Sequence, residues 1–322
     1  MSLETDLLVD RRRLRRKLSV WRVLAFLFLV VALLAVAVAA GGRSALQRQG
    51  AHIARVKLAG FVGDQTANVK LFEDIAESGA KAVIVRINSP GGATTGGEDL
   101  YKGLRKLSEK KPTVAVIDTL GASAAYMAAL GTDRILSRRT SLVGSIGVLV
   151  QYPNVSKLLE TVGVQMEEVK SSPLKASPNG FEPTTPEARA ALASIVNDTY
   201  GWFKGLVKER RGYDDTALAV VSDGRIFTGQ QALDLKLIDG IGDEKDAIAW
   251  LESNKAIDKD LPVRDWEKPS TATGFAFAQA AVATLADGIG LGAVGDMLRA
   301  SATSEGTALD GLVSVWHPRY QK

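Results

Sequence analysis

Hydrophobic positions along this chain of 322 residues follow two different patterns. Residues 23–40 (VLAFLFLVVALLAVAVAA) are apolar over 18 positions without a single charge. Beyond residue 52, short β-branched runs alternate with segments in which apolar residues recur every three or four positions. The first pattern is typical of a helix that spans a membrane, and the second is typical of strands that alternate with helices.

The alternating region predicts three strands joined by two helices. Parallel strands need a crossover connection, so strands separated by helices are expected to pair in parallel. The sequence therefore predicts an α/β fold in which parallel βαβ units form a sheet covered by helices. The predicted strands are Ile53–Val62, Lys81–Asn88 and Pro112–Ile117, and the predicted helices lie at about 65–78 and 97–109.

A long helix is predicted to begin at Thr185 and Pro186, because a hydroxyl side chain caps a helix and proline favours its first turn. A further motif, DGRIFTG, occupies residues 223–229, and a helix-rich stretch follows as far as about Leu251. Beyond Pro269, alanine, glycine, serine and threonine dominate, which predicts a weakly structured tail with one apolar helical patch. The apolar positions of the long helix predict a face in the core or in a subunit interface: Leu192, Ile195, Val196, Thr199, Phe203, Leu206 and Val207.

The charges around residues 23–40 predict their orientation in a membrane. Seven cations lie between residues 11 and 22, whereas only Arg43 and Arg48 follow closely. The positive-inside rule keeps such an N-terminus in the cytoplasm and places the rest of the chain outside. A cleaved signal peptide and a buried core helix are the alternatives, but the apolar run is longer than the 7–15 residues of a signal core. The basic cluster has no aromatic platform beside it, so no nucleic-acid partner is expected.

Composition excludes several kinds of chemistry. Hydrophobic residues make up 46% of the chain, enough for a sizeable core. Cysteine is absent, which excludes disulfides, thiolate metal sites and a cysteine nucleophile. The only histidines are His52 and His317, and neither lies where a Ser–His–Asp triad would need it. A hydrolase built on this chain must therefore use another base, and no metal or organic cofactor is expected.

Ser123 is the candidate nucleophile. It follows the third predicted strand within Leu120–Met127 (LGASAAYM), where small neighbours would let a peptide backbone approach its hydroxyl. A helix that starts there would offer N–H groups to developing negative charge. The alternative is that Ser123 merely caps a closely packed helix.

Residues 88–92 (NSPGG) are the candidate anion-binding loop. Gly91 and Gly92 would let backbone N–H groups approach a ligand unhindered, so an oxyanion hole is one interpretation and a plain tight turn is the other. A phosphate loop is disfavoured because the sequence continues with Gly96, Gly97 and Glu98 rather than Gly-Lys-Ser/Thr.

A serine without histidine needs a base such as lysine. Desolvation favours an uncharged amine, which can then accept a proton. Lys175 lies in an uncharged stretch rich in small residues, 171–178 (SSPLKASP). Lys170, at the end of a preceding predicted strand, is the alternative.

The ordered motifs NSPGG at 88–92, the segment around Ser123, Lys175 followed by Phe181-Glu182-Pro183, and DGRIFTG resemble the signal peptide peptidases of family S49. The resemblance covers roughly residues 50–250. It implies a fold related to ClpP and crotonase, with Ser123 as nucleophile and Lys175 as general base. It also implies an oxyanion hole made by the N–H groups of Gly91 or Gly92 and of Ala124.

The same resemblance implies cleaved signal peptides and other apolar extended peptides as substrates, the inner membrane as location, and a ring-shaped homo-oligomer that shares each active site between subunits. The chain departs from the family pattern at Ala124-Ala125, where Gly-Gly is frequent, and at Pro173-Leu174, where glycine and an aromatic residue usually precede the lysine. The expected organisation is a cytoplasmic N-terminus (1–22), a transmembrane anchor (23–40), a stalk (41–51), a protease domain (52–252) and a C-terminal extension (253–322).

Two other functions fit the pattern less well. An acyl-CoA hydratase or hydrolase of the crotonase type conflicts with export, because coenzyme A is found in the cytoplasm. A non-catalytic scaffold of the same fold would bind peptides on the membrane without cleaving them.

Overall fold

The computed structural model describes residues 17, 20–24, 27 and 49–267, together with the backbone of 313–315. Residues 1–51 and 52–322 form two separate units. In the first, residues 20–24 are helical. Among the described residues, none of the helices combines the length and the apolar character that crossing a membrane requires. The predicted anchor at 23–40 lies outside the described residues except for positions 23, 24 and 27.

The second unit is a mixed α/β fold. Its strands are β1 (His52–Val62), β2 (Ala80–Ala93), β3 (Thr113–Ala122), β4 (Arg134–Ser137), β5 (Leu142–Gly144), β6 (Ile226–Thr228), β7 (Gly240–Ile241), β8 (Val263–Trp266) and β9 (Val313–Val315). Its helices are α1 (Thr66–Ala76), α2 (Thr94–Ser108), α3 (Ala124–Leu130), α4 (Ser156–Thr161), α5 (Pro186–Arg211), α6 (Asp215–Val221), α7 (Gly229–Asp234) and α8 (Glu244–Asn254).

One sheet organises this unit, in the order β6-β5-β3-β2-β1-β8. Strands β1, β2 and β3 pair in parallel, and β8 adds a parallel strand beside β1. The antiparallel pairs are β5 with β6 and β2 with β9. The predicted α/β fold with parallel βαβ units is therefore confirmed. Strand β8 lies within the predicted C-terminal extension, 253–322.

Both faces of the sheet are buried, which explains why the central strands contain almost continuous β-branched residues. On one face, alternate residues such as Val83 and Val85 belong to one core cluster with residues of α1, α2, α3 and α5. On the other, Ile84 and Val116 lie in a smaller cluster with Ala247 of α8. The carboxyl ends of β2 and β3 are thereby fixed from both sides, and these ends carry the candidate site.

Two central strands extend beyond their predicted ends. Strand β2 continues from Asn88 through the Pro-Gly-Gly sequence to Ala93, and β3 continues from Ile117 to Ala122. Turn-forming residues would normally end a strand at these points. Here β1 and β9 pair with the end of β2, and β5 pairs with the end of β3, so backbone pairing maintains the extended conformation.

Helix α5 begins as predicted. The Thr185 hydroxyl accepts the Ala188 N–H, and Pro186 occupies the first turn. The apolar face is buried only in its C-terminal half, at Phe203, Leu206 and Val207, whereas Ile195 is about half exposed. In the N-terminal half of α5, Ala188 is buried and Leu192 is only partly buried, so much of that half remains exposed.

Candidate active site

Ser123 occupies a strained turn between β3 and α3. Its backbone has φ 58° and ψ −121°, a conformation that costs free energy in a residue other than glycine. Its N–H donates to the Gly144 carbonyl at 2.8 Å, and its carbonyl accepts the N–H groups of Tyr126 and Met127. These bonds hold the turn in place, so the direction of the side chain is set by the ends of β3 and β5.

The Ser123 hydroxyl is buried and unsatisfied. The residue is 1% exposed, and among the described residues its Oγ has no hydrogen-bond partner. It lies at the N-cap position of α3 without making a capping hydrogen bond. The alternative in which Ser123 merely caps a helix is therefore wrong, because a capping serine would accept a backbone N–H.

Small residues allow α2 and α3 to approach closely beside Ser123. A Cβ atom at position 97 would lie 3.0 Å from the Cβ of Ala124 and 2.7 Å from the Sδ of Met127. Gly97 and the alanines of α3 are thus required by packing, and this packing fixes the start of α3 against the sheet.

Gly91 and Gly92 lie near the end of β2, the strand that pairs with the one leading to Ser123. Ser89 pairs with Gly121, and two further residues along each parallel strand lead to Gly91 and Ser123. Gly91 has φ 98°, which glycine adopts readily. A Cβ at position 92 would lie 2.1 Å from the Val62 carbonyl oxygen, so only glycine fits there. The predicted loop is therefore the end of a strand whose bare backbone adjoins the serine turn.

The candidate oxyanion donors differ in their partners. The Gly91 N–H donates to Ser89 Oγ at 3.1 Å, and this hydroxyl donates in turn to the Gly60 carbonyl at 2.6 Å. The Ala124 N–H belongs to the first turn of α3, where N–H groups have no acceptor within the helix. We therefore carry Gly92 and Ala124 forward as donors, with Gly91 as part of the bend that positions Gly92.

The Lys175 side chain is exposed to solvent in a single copy of the chain. The residue occupies a turn in which its N–H donates to the Ser172 carbonyl at 3.0 Å. Among the described residues, its ammonium makes no hydrogen bond or ion pair, and nothing joins it to Ser123 within the chain. The structure of a single copy therefore does not bring the two predicted dyad residues together.

Lys170 forms ion pairs with two carboxylates. Its Nζ lies 2.5 Å from Glu182 Oε1 and also pairs with Glu168, and its side chain is 18% exposed. The hydrogen bond from Lys170 lowers the pKa of Glu182 below its usual range. The predicted strand before Lys170 is absent: residues 164–170 form no regular element. Lys170 is thus engaged in ion pairs, whereas Lys175 is not.

Two contributors to the site were missed in the sequence. Gly144, in the Gly-Ser-Ile-Gly stretch 144–147, supplies the carbonyl that holds Ser123, and the next residue, Ser145, also has a positive φ of 54°. Ser89 anchors Gly91. Gly144 could have been found from the sequence, because it lies in a second cluster of small residues after a short strand. Nothing in the sequence marks Ser89 except its place in the NSPGG motif.

Comparison with known proteins places the chain in a family. Residues 105–258 match the family described as Peptidase family S49. Over 210 residues the chain is 36% identical to a Synechocystis sp. protein named "Putative protease", covering 65% of this chain and 76% of that protein. Over 208 residues it is 31% identical to a "Putative signal peptide peptidase SppA" of Enterococcus faecium, covering 64% and 59%. A solved membrane-bound stomatin-specific protease superposes with a TM-score of 0.45 and 14% identity, covering 68% and 98%.

These matches define the class of protein as a serine-type peptidase. The chain belongs to peptidase family S49 and resembles the signal peptide peptidases within it.

Proposed function

We propose that this protein is a membrane-anchored Ser–Lys endopeptidase that degrades cleaved signal peptides after export. The observation that carries the proposal is the Ser123 hydroxyl: it is buried, unpartnered among the described residues and held in a strained turn beside a bare glycine strand. Strain and an unsatisfied polar group are costly, and proteins retain both mainly at functional sites.

In the proposed reaction, Ser123 Oγ attacks a peptide carbonyl while the neutral Lys175 amine accepts the hydroxyl proton. The N–H groups of Gly92 and Ala124 stabilise the oxyanion; the loss of one such donor typically lowers the rate by about 10²–10³-fold. The lysine then donates its proton to the leaving amine, and water hydrolyses the acyl-enzyme with the lysine again as base.

A neighbouring copy supplies Lys175 in this proposal. Within one chain the lysine is exposed and Ser123 is buried, so the dyad is incomplete. The region around the lysine also exposes an unusual number of large apolar side chains and borders an open cleft of about 910 Å³. Apolar exposure on this scale is typical of a subunit interface. The exposed set comprises Leu149, Leu158, Val162, Val164, Met166, Val169, Leu174, Phe181 and Ile195.

A head-to-tail contact of this kind uses two different surfaces and closes into a ring when its rotation allows. We therefore propose a ring-shaped homo-oligomer in which the Lys175 loop of one copy reaches the Ser123 turn of the next. Burial in that interface would desolvate the lysine, as its role as base requires. The family resemblance also implies a fold related to ClpP and crotonase, in agreement with a parallel sheet covered by helices.

The proposals for the anchor, the location and the substrate are based on the sequence. Residues 23–40 have the length and charge flanks of a signal anchor, so the catalytic domain is proposed to lie on the outer side of the inner membrane. The similarity to proteins named as signal peptide peptidases supports apolar extended peptides as substrates.

The test is cleavage of a synthetic signal peptide by the full chain in detergent. Ser123→Ala and Lys175→Ala should each lower kcat more than about 10³-fold, because each removes a group that takes part in bond making. Lys170→Ala is the matched lysine control and should retain most of the activity. A fluorophosphonate probe should label the wild type and fail to label Ser123→Ala.

Each of the other outcomes shows which part of the proposal is wrong. If Lys175→Ala still cleaves and Lys170→Ala does not, the base is misassigned. If the wild type neither cleaves peptide nor reacts with the probe while it is correctly assembled, the protein is the non-catalytic scaffold.

A further inference from the structure

The position of helix α3 depends strongly on its two ends. It has seven residues, four of them alanine, so it offers few large side chains that could fix it against its neighbours. A helix this short is also only marginally stable by itself. Its first end is fixed at the nucleophile, where the Ser123 N–H donates to the Gly144 carbonyl. The contacts at its other end therefore matter for the nucleophile as well.

Arg210 of α5 holds the C-terminal end of α3. Its Nε donates to the Leu130 carbonyl at 2.9 Å, and its Nη2 donates to the Thr132 carbonyl at 3.1 Å. The last carbonyls of a helix have no N–H partner within the helix, and the helix dipole favours a cation beside them. Because the guanidinium presents its N–H groups in a rigid planar fork, it fixes both carbonyls relative to α5.

These two carbonyls belong to buried residues. Leu130 is 1% exposed and Thr132 is 3% exposed. Arg105 of α2 also lies near this end, but the distance of 3.5 Å from its Nη1 to the Gly131 carbonyl is long for a hydrogen bond. Removal of the Arg210 guanidinium would thus leave buried carbonyls without their charged donor, which is costly.

The charge of Arg210 is directed to the backbone rather than to a carboxylate. Among the residues that the structure describes, Arg210 forms no salt bridge, whereas its neighbour Arg211 pairs with Asp239 at 2.9 Å. Arg210 follows the buried Val207 by three positions, so the face of α5 that packs in the core also brings the guanidinium to α3. Two charge-assisted hydrogen bonds to one short helix are well suited to fix its position.

A shift at this end of α3 would reach the site. The N–H groups of Tyr126 and Met127 donate to the Ser123 carbonyl, so the nucleophile turn and the first turn of α3 form one hydrogen-bonded unit. The whole helix is about 10 Å long, or about two turns. A displacement at its C-terminal end would therefore move the Ser123 hydroxyl and the Ala124 N–H, which is a proposed oxyanion donor.

From these contacts we infer that Arg210 is a positioning residue for the peptidase reaction: by holding the far end of α3, it keeps the Ser123 hydroxyl and the Ala124 N–H aligned for attack on the substrate. The inference rests on the proposed function, because it concerns the same nucleophile and the same donor. Arg210 touches none of the reacting atoms, so its loss should affect the chemical step and leave substrate binding nearly unchanged.

The decisive variant is Arg210→Met in the full chain in detergent, because methionine keeps an apolar stem and removes both hydrogen bonds. A misplacement of about 1 Å in an active site can lower a rate about 10²-fold, so we expect kcat for a synthetic signal peptide to fall about 10- to 100-fold with KM nearly unchanged. Arg210→Lys keeps the cation without the planar fork, so its kcat should lie between those of the wild type and Arg210→Met.

Arg55→Met is the matched control. Arg55 is also partly buried, but it lies on the other face of the sheet and pairs with Glu244 and Asp265, so its loss lowers stability without reaching α3. Two further measurements separate position from stability, at a temperature where every variant is folded. These are the rate of labelling by a fluorophosphonate probe, which depends on the nucleophile and the oxyanion hole, and hydrogen exchange across residues 124–130. Slower labelling and faster exchange are expected in Arg210→Met but not in Arg55→Met.

Three results would overturn the inference: a wild-type kcat and labelling rate in Arg210→Met, a rise in KM alone, or equal losses in the Arg55→Met control. If Arg210→Met does not fold, Arg210→Lys decides, since a lowered kcat at unchanged KM supports the inference and a wild-type kcat contradicts it. A wild type that neither cleaves the peptide nor reacts with the probe would instead refute the proposed function, and hydrogen exchange would still show whether Arg210 holds α3.

Discussion

Single residues at the site divide into those proposed to touch substrate and those that position them. Ser123 is held by the Gly144 carbonyl, and its side chain has no partner among the described residues. Ser89 is also buried, but both capacities of its hydroxyl are used, on Gly60 and on Gly91. Ser89 therefore sets the bend of β2 that places Gly92, and it acts as a positioning residue.

Replacing Ser89 by alanine should lower kcat about 10-fold with little change in KM. The reason is that a displaced oxyanion donor stabilises the transition state less, whereas substrate binding depends on it weakly. Steady-state kinetics on the signal peptide measures both constants. Ser253→Ala, which removes an exposed hydroxyl that also bonds to a backbone carbonyl, is the control and should change neither. A Ser89→Ala enzyme with wild-type kcat would show that Gly91 keeps its bend unaided.

Among the elements, α3 and the segment that follows α5 are joined to the turn after α7 by two tyrosines. The Tyr126 hydroxyl donates to the Leu237 carbonyl at 2.7 Å, and the Tyr213 hydroxyl donates to the Leu235 carbonyl. Burial raises the pKa of Tyr213 to about 12 and raises the pKa of Tyr126 well above its usual range. Helix α3 begins at the nucleophile, so these bonds also support the site from its far end.

The raised pKa values predict a loss of stability in alkali. Below the unfolded-state pKa of about 10, both folded and unfolded chains carry neutral phenols and the contacts contribute fully. Between about pH 10 and 12 the unfolded chain releases protons that the folded chain retains, so the free energy of unfolding falls as the pH rises. Urea titrations from pH 8 to 11 should show a smaller fall for Tyr213→Phe than for the wild type. Equal falls would mean that Tyr213 titrates alike in both states.

How far the elements could be predicted depends on where their stabilisation originates. The strand at 81–88 and the helix at 186 carry their own local signals, in β-branched runs and in a Thr-Pro start. The extension of β2 through Pro90, Gly91 and Gly92 did not, since pairing with β1 and β9 overrides residues that favour turns. Strand β9 itself is three residues long in a region of small and polar residues, too short for periodicity to detect.

The candidate site, like the elements, could be predicted only in part from the sequence. Ser123 follows from a serine among small residues at the end of a strand, and its strained, buried environment agrees with the proposal. Its relation to Lys175 could not be read from spacing, because the two side chains are not in contact within one copy. The pattern along a single chain would not encode a contact that, as proposed, forms between chains.

For the whole molecule, the exposed position of the proposed base Lys175 and the half-exposed helix α5 favour the proposed assembly. The turn that carries Lys175 and the N-terminal half of α5 belong to one continuous stretch of sequence with exposed apolar residues. A neighbouring copy that covers this stretch would bury those residues and bring the lysine to a serine at the same time.

Co-expression of two inactive variants tests the shared site. In a mixed ring of Ser123→Ala and Lys175→Ala copies, an intact pair forms wherever the second variant's serine meets the first variant's lysine, so random mixing should restore about a quarter of wild-type activity. Each variant expressed alone is the control and should stay inactive. A mixed preparation that remains inactive, with rings shown to contain both variants, would place the dyad within one chain.

The exposed stretch between Thr161 and Pro186, described above as carrying Lys175, also bears on the lifetime of the enzyme. It contains no helix or strand, whereas Ser123 directly follows a strand of the central sheet. Proteases cut accessible, irregular segments first. A copy left outside the proposed ring would thus be cut beside Lys175, the proposed base, and lose activity while its sheet stays folded, whereas an assembled copy would be shielded. Turnover would then select for assembled enzyme, and orphan subunits would be cleared before they could act.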